Sequence, residues 1–368
     1  IRALVKPGMR IAVGVGSRGI QNLYTIVETT VNSLKELGAE PFIVSAMGSH
    51  GGGTEEGQRE VLAGYGITEE RLGVPVVTTV DTVYLGNCAN GRPVWFDRAA
   101  YEADLIVPIN RVKLHTDFVG SIQSGLCKML VIGLGNHKGC SAVHEEAPEV
   151  FADAIEETAR LILQKAPVGF GIAILENAYD KTYAVEAVPA EHLVEREKEL
   201  VQIAKGNMPY IMLDEADVIV CGAIGKDISG AGFDPNILGR SSVLKQFVLH
   251  IPRYQRLVLC DVTPASHGNG IGVGLFDVIT KKVAEQLDLE SMYANAIACN
   301  CLGDASVPCT VDDEETAIRV ALKCCRNIDR DHPRIIRIQN TLHLGEIEVS
   351  EALLDAVRAD SRMSLIEN

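Results

Sequence analysis

The sequence predicts an α/β protein: two α/β domains with open, mostly parallel sheets, joined by a hinge, with the active site in the interdomain cleft. Three observations lead there. The chain has 368 residues, enough for two domains of ordinary size. Apolar runs of strand length alternate with amphipathic stretches of helix length. Midway, the charged segment "HLVEREKELVQIAKGNMP" reads as a helix ended by Gly206 and Pro209, and marks a boundary. Residues 1–208 form the expected first domain, with 345–368 returning to it. Residues 209–344 form the expected second.

In order, "MRIAVGVGS" reads as a buried strand ending in glycines, and "IQNLYTIVETTVNSLKELGAE" as a helix stopped by Gly38. "PFIVSAMGS" is a second buried strand. "TEEGQREVLAGYG" is a helix with Thr54 as N-cap and Glu55 and Glu56 in its first turn. "ADLIVPINRVKLH" is a strand and its exit loop. "APEVFADAIEETARLILQKA" is a helix with Pro148 near its first position. A second α/β set follows the boundary: "ADVIVCGAIG", "RLVLCDVTP", one helix over "TKKVAEQLDLESMYANAIA", and "DDEETAIRVALKCC". "SEALLDAVRAD" is the last helix.

Composition excludes some classes. The net charge of -15 argues against nucleic acid, whose phosphates need a concentrated positive field. No apolar stretch is long enough to span a bilayer, and no signal peptide is visible. The ten cysteines lack a CxxC pair and read as reduced, small core residues of a cytoplasmic protein. The chain opens on Ile1 and not on Met, so sequence ahead of it is expected. A small-molecule partner remains, and a homo-oligomer is compatible with all of this.

Open α/β sheets bind ligands outside the carboxyl ends of their strands. The residues to weigh are therefore Arg18 after the first strand, His50 after the second, and Lys113 and His115 after the third. Ser124, Gly125, Lys128, His137, Lys138 and His144 come next. "GVGSRG" has glycines at dinucleotide spacing, but Arg18 would intrude on a pyrophosphate. No acidic residue closes the second strand either. His50 is expected just before a helix N-terminus, where a neutral imidazole can act as a base. Lys128 is surrounded in sequence by Leu126, Cys127, Met129, Leu130, Val131 and Ile132. An ammonium there is costly unless it reaches water or is chemically changed, as in a Schiff base or an amide-like bond.

"GSHGGGT", "KLHTDFVGSIQSGLCK" and "GLGNHKGCSAVH", in that order, resemble the nickel-pincer lactate racemase family of 2-hydroxyacid racemases and epimerases. The resemblance covers most of the first domain and continues weakly into the second. It implies a pyridinium-3,5-bisthiocarboxylic acid mononucleotide carrying nickel, joined covalently to Lys128. His144, sixteen residues on, matches the nickel-ligating histidine, with His137 as competitor. His50 and His115 match the two acid/base histidines, and Arg18 the substrate arginine. Ser124, Gly125, His137 and Lys138 fall in the cofactor-binding loops. The substrate would be a 2-hydroxy acid or sugar acid, interconverted by reversible hydride transfer.

The sequence departs from the family at Val15, Gly51, Gly52, Leu126 and Cys127. It departs again at Gly239 and Ser242, where a glutamine and a lysine belong, so a distant subgroup is implied. Lys226, Asp227 or Arg240 would stand in for them. His267 or Asn269, in "TPASHGNGIGVG", would reach the site from the second domain with Asp277 orienting the histidine. Three rivals remain: a lysine Schiff-base (pyridoxal phosphate) enzyme, a cofactor-free binding or regulatory homologue, and an NAD-linked dehydrogenase.

Overall fold

A computed structural model describes residues 2–17 and 19–366. The chain divides after Met208 into two compact units, 1–208 and 209–368. Each has a six-stranded sheet of its own.

In the first unit the strands are β1 (Arg10–Val15), β2 (Glu40–Ser45), β3 (Val76–Val77), β4 (Thr82–Asn87), β5 (Pro93–Asp97), β6 (Leu105–Arg111), β7 (Phe170–Glu176) and β8 (Thr182–Pro189). The sheet order is β3-β2-β1-β6-β7-β8, while β4 and β5 make a separate hairpin. All pairs in the sheet are parallel except β7 with β8. β1 and β2 are buried along their whole length after the first residue. That is the pattern of strands covered on both faces, and it explains why they read as unbroken apolar runs. Helix Leu23–Glu36 sends Val27 and Val31 into a core shared with Val13, Ile43 and Val107. From β1 the chain moves outward to β2 and β3, then returns to the other side of β1 as β6. The order reverses between β1 and β6, and their carboxyl ends are where an open sheet of this kind binds ligands.

The second unit repeats this logic with β9 (Val218–Cys221), β10 (Arg256–Leu259), β11 (Val278–Thr280), β12 (Cys309–Val311), β13 (Ile335–Ile338) and β14 (Ile347–Val349). Their order is β12-β11-β10-β9-β13-β14, with only β14 antiparallel. The reversal falls between β9 and β13. No helix among the described residues is long and apolar enough to cross a membrane.

Three expectations change. Pro148 does not open its helix, which runs Phe151–Lys165 from an N-cap at Val150. The residues before it are drawn into turns, with Glu146 bonded to Arg92, so the helix starts later. The segment after β11 is two helices, Lys281–Gln286 and Leu289–Ala298. Asp288 leaves the helical path and its carboxylate accepts from the N–H groups of Glu290 and Ser291. Residues 345–366 do not return to the first unit. β14 pairs with β13, and Leu353 and Val357 are buried beside Ile219, Leu257 and Ile336. The sequence "SEALLDAVRAD" gives only a short helical turn and the helix Leu354–Ala359.

Candidate active site of the first unit

The loop leaving β1 begins with Gly16, where a Cβ would meet the Cε of Met129 at 3.1 Å. Ser17 follows. The Tyr65 hydroxyl donates to its carbonyl at 2.9 Å, and its own hydroxyl bonds Nδ1 of His50. Arg18, the expected substrate arginine, lies outside the described residues.

His50 precedes a tight turn of three glycines, Gly51–Gly53, each with φ between 64° and 68°. An L side chain rarely adopts that conformation, which accounts for the three glycines. The helix itself begins at Glu55 and is capped by Thr54, whose hydroxyl accepts from the Gly57 N–H at 3.1 Å. His50 therefore stands one turn ahead of the cap. Gln58, fully buried, ties this loop down. Its amide donates to the Gly48 carbonyl at 3.0 Å, and its carbonyl accepts from the Ser45 hydroxyl at 2.6 Å.

The loop after β6 is closed by reciprocal backbone bonds of Lys113 and Ser124, 2.9 and 3.1 Å long. Inside it, the His115 N–H donates to Gln123 Oε1 at 2.7 Å, and the Asp117 N–H donates to His115 Nδ1 at 3.0 Å. The His115 ring stacks on Phe118 with centroids 4.2 Å apart. His115 Nε2 faces Lys128 Nζ at 2.5 Å. Lys128 thus neither floats in apolar surroundings nor simply snorkels. Leu126, Cys127, Met129 and Leu130 around it are buried, and its amine is delivered to an imidazole.

The turn that bears Lys128 is helical at Leu126–Lys128 and continues as a π-helix over Met129–Gly133, a form often found at functional sites. Its first amides are held by Glu197, a fully buried carboxylate on helix Leu193–Asn207 that accepts from the Cys127 N–H at 2.9 Å. A Cβ on Gly125 would lie 2.5 Å from the Glu197 carboxyl carbon, so residue 125 is glycine for space and not for backbone angle. Burial pushes Glu197 up to about 7, against the hydrogen bonds from Cys127 and Leu126. Cys127 is pushed up by burial and by Glu197.

His144 ends helix Asn136–His144 and is exposed on one side. Its Nδ1 donates to the Cys140 carbonyl at 2.7 Å, which leaves the Nε2 lone pair available to a metal. The hydrogen bond to Cys140 raises its proton affinity, and burial opposes that. Burial alone would raise the Cys140 thiol, but hydrogen bonds from His144 and Ser49 bring it below its usual value. Phe151 packs edge-on to His144 at 5.1 Å and against Phe118 at 4.9 Å. An aromatic chain therefore joins His115 to His144 beside Lys128. His137 and Lys138 are exposed on the same helix, and the Lys138 ammonium sits 4.9 Å over the Trp95 ring. Among the described residues no three His, Cys, Asp or Glu side chains make a metal cluster by themselves.

The second-unit candidates separate. Lys226 and His267 lie in the loops after β9 and β10. There the Lys226 N–H donates to Ser266 Oγ at 2.8 Å, and Asp227 bonds Thr263. The Lys226 ammonium is turned onto the Gly230 carbonyl at 2.6 Å. Arg240 is elsewhere. It binds Asp277 at 2.7 Å and the Leu275 carbonyl at 2.8 Å, where Asp277 also accepts from the Leu257 N–H. Those are the amino ends of β10 and β11, the opposite edge of the sheet. Arg240 is a structural ion pair and does not join Lys226, and Asp277 orients Arg240 instead of His267.

Sequence reading missed Gln58, Phe118, Cys140, Phe151 and Glu197. Glu197 left a signal, because Leu193, Val194, Glu197, Leu200, Val201 and Ala204 form one buried face at helical spacing.

Comparison with known proteins bears on the fold. In solved structures the fold matches the lactate racemase apoprotein from Thermoanaerobacterium thermosaccharolyticum, with a TM-score of 0.56 at 12% identity over 93% of this chain and 87% of that one. A protein from Thermotoga maritima also matches, with a TM-score of 0.49 at 12% identity over 94% of this chain and 83% of that one. No curated protein matches the sequence. The family model described as the lactate racemase N-terminal domain matches residues 1–153. That span runs from β1 past His144, so the part of the chain holding Ser17, His50, His115, Lys128 and His144 is similar to the lactate racemase N-terminal domain.

Proposed function

We propose that the chain is a racemase or epimerase of a 2-hydroxy acid that carries a nickel-pincer nucleotide on Lys128. The observation that carries this reading is the Lys128 amine presented to His115 at the switch point of the sheet, with His144 nearby in a tautomer that leaves Nε2 for a metal. The residues present fit the group: the Lys128 amine would hold its carboxyl-derived arm, and the His144 imidazole nitrogen would be a ligand for nickel. When bound, it would supply the acceptor and donor of the Cα hydride.

The chain's own residues do the rest. His115 and His50 hold and move the hydroxyl proton, one for each enantiomer. Histidine suits this because it accepts and donates near neutral pH. Ser17 fixes the rotation of the His50 ring through Nδ1. Phe118 and Phe151 form an apolar wall beside His115 and His144. Arg18 is the family-pattern partner for the substrate carboxylate, by a charge-assisted bond.

The test is to produce the chain together with the enzymes that make the cofactor. Intact mass should show an adduct on Lys128 that Lys128→Ala abolishes. His144→Ala should keep the adduct and lose nickel. Loaded protein, incubated with single-enantiomer 2-hydroxy acids, should yield the opposite enantiomer. Absence of added mass on Lys128 would overturn the reading in favour of a binding or regulatory protein.

A further inference from the structure

We infer that His115 has an earlier task than catalysis: in the cofactor-free protein it holds Lys128 as a neutral amine, ready for acylation. The inference rests on the proposed function for its meaning, but its evidence is the hydrogen-bond pattern of one ring. The Asp117 backbone N–H donates to His115 Nδ1 at 3.0 Å. A nitrogen that accepts a hydrogen bond carries no hydrogen, so the neutral ring has its one hydrogen on Nε2. That atom faces Lys128 Nζ at 2.5 Å. An ammonium has no lone pair, and two N–H donors would then point at each other. The contact is a hydrogen bond only if Nε2–H donates to an uncharged amine.

Other groups act on the pair. The Asp117 carboxylate lies 4.0 Å from Nδ1 and by itself favours a proton there, but the backbone N–H of the same residue occupies that lone pair. The Phe118 ring lies 5.8 Å from Nζ and by itself favours an ammonium, but it is at the outer edge of cation–π range, whereas the Nε2 contact is direct. His144 faces from the next helix, where the Lys128 charge lowers its proton affinity, so the two groups disfavour being charged together.

The arrangement gives an order of events. The neutral nitrogen attacks an acyl carbon, the N–C bond forms, the leaving group departs with its electron pair, and the surplus proton passes to water. The nitrogen is then amide-like, with an N–H and no basic lone pair. His115 can no longer donate to it. Either the ring moves its hydrogen to Nδ1, giving up the bond from the Asp117 N–H and presenting a bare Nε2 that can accept a proton, or it turns away from the amide. The base that catalysis needs is thus engaged by Lys128 until the lysine has been modified.

The test uses the cofactor-free full chain and N-hydroxysuccinimidyl acetate at pH 7, with each lysine followed by peptide mass spectrometry. Ordinary lysines are almost wholly protonated there, so Lys128 should be acetylated about a hundredfold faster than exposed lysines such as Lys281. His115→Gln should slow Lys128 about tenfold or more and leave Lys281 unchanged. An equal rate at Lys128 in wild type and His115→Gln overturns the inference. Should that variant misfold, the long-range 1H–15N spectrum of wild-type histidines decides. A bare Nδ1 and protonated Nε2 on His115 support the inference, and Nδ1–H or an imidazolium overturns it. Neither readout involves the nickel group. Fast labelling of Lys128 without any adduct on co-production would sustain this inference while sinking the proposed function.

Discussion

At the scale of single residues, Glu197 and Asp97 show how burial couples this site to pH. Both are fully buried, and burial pushes Glu197 up to about 7 and Asp97 up to about 6. Asp97 accepts from Asn136 at 2.9 Å at the start of the helix that carries His144, as Glu197 does for the turn that carries Lys128. A carboxylate whose folded value lies above its unfolded one binds more protons when folded. Stability is therefore lost as pH rises through the interval, here from the ordinary carboxylate value up to about 7. Glu197 Oε1 has no hydrogen-bond partner among the described residues, so an amide can replace the carboxylate without breaking a bond to that atom. Glu197→Gln should stabilise the first unit by about 2 kcal/mol at pH 8 and by almost nothing at pH 4. Urea unfolding followed by Trp95, the sole tryptophan, reports on this unit. A difference of equal size at both pH values would show that Glu197 is not ionising across the range. The run "EREKEL" disguised this residue. Charge suggests a solvated face, and only the helical phase of its apolar neighbours reveals that Glu197 points inward.

At the scale of elements, the loops were harder to read than the strands for a physical reason. β1, β2 and β6 are apolar because both faces are covered, and that leaves a clear trace. The loop after β2 depends on backbone angles. The spacing of His50 from the next helix looked like a helix-end histidine, but three left-handed glycines intervene and Thr54 takes the cap. These glycines are not equivalent. A Cβ on Gly51 would lie 2.6 Å from the Gly57 carbonyl carbon, whereas a Cβ on Gly53 meets nothing within 4 Å. Gly53→Ala should cost only the left-handed strain of about 1 kcal/mol. Gly51→Ala should cost about 3 kcal/mol because backbone must move as well. Equal losses in urea unfolding would mean that the turn is not packed against the helix start. Arg92 makes a comparable demand between elements. Its side chain, 5% exposed, binds Glu146, Glu157 and the Ala154 carbonyl, fixing the connection between the His144 helix and the next. Arg92→Met leaves those carboxylates without their partner and should destabilise the unit by about 3 kcal/mol, measured in the same way. Nothing in "GRPVW" shows that this arginine is buried, since its partners lie more than fifty residues away.

At the scale of the whole molecule, the division after Met208 and the parallel sheets follow from the alternation of apolar and amphipathic segments, but the destination of the last segment does not. Leu353, Leu354 and Val357 give an apolar stripe that any sheet face could accept, so sequence alone leaves open which unit it completes. In the structure β14 adds the one antiparallel strand beside β13, with Ile336 opposite Val349, and Leu353 and Val357 fill the core under β9, β10 and β13. The antiparallel edge strand ends each sheet, β8 in the first unit and β14 in the second. Removing residues 345–366 should therefore damage the second unit by a large margin. Each of the two buried side chains is worth about 2–4 kcal/mol in a core. The lost strand also leaves the β13 edge open. The first unit, which has a sheet of its own, should unfold as before. Urea unfolding separates the two cases, because Trp95 sits in the first unit and far-ultraviolet circular dichroism reads both. The truncated chain should keep the Trp95 midpoint and lose the share of the dichroism transition that belongs to the second unit. A shift of the Trp95 midpoint, with the remaining dichroism transition intact, would mean that residues 345–366 complete the first unit after all.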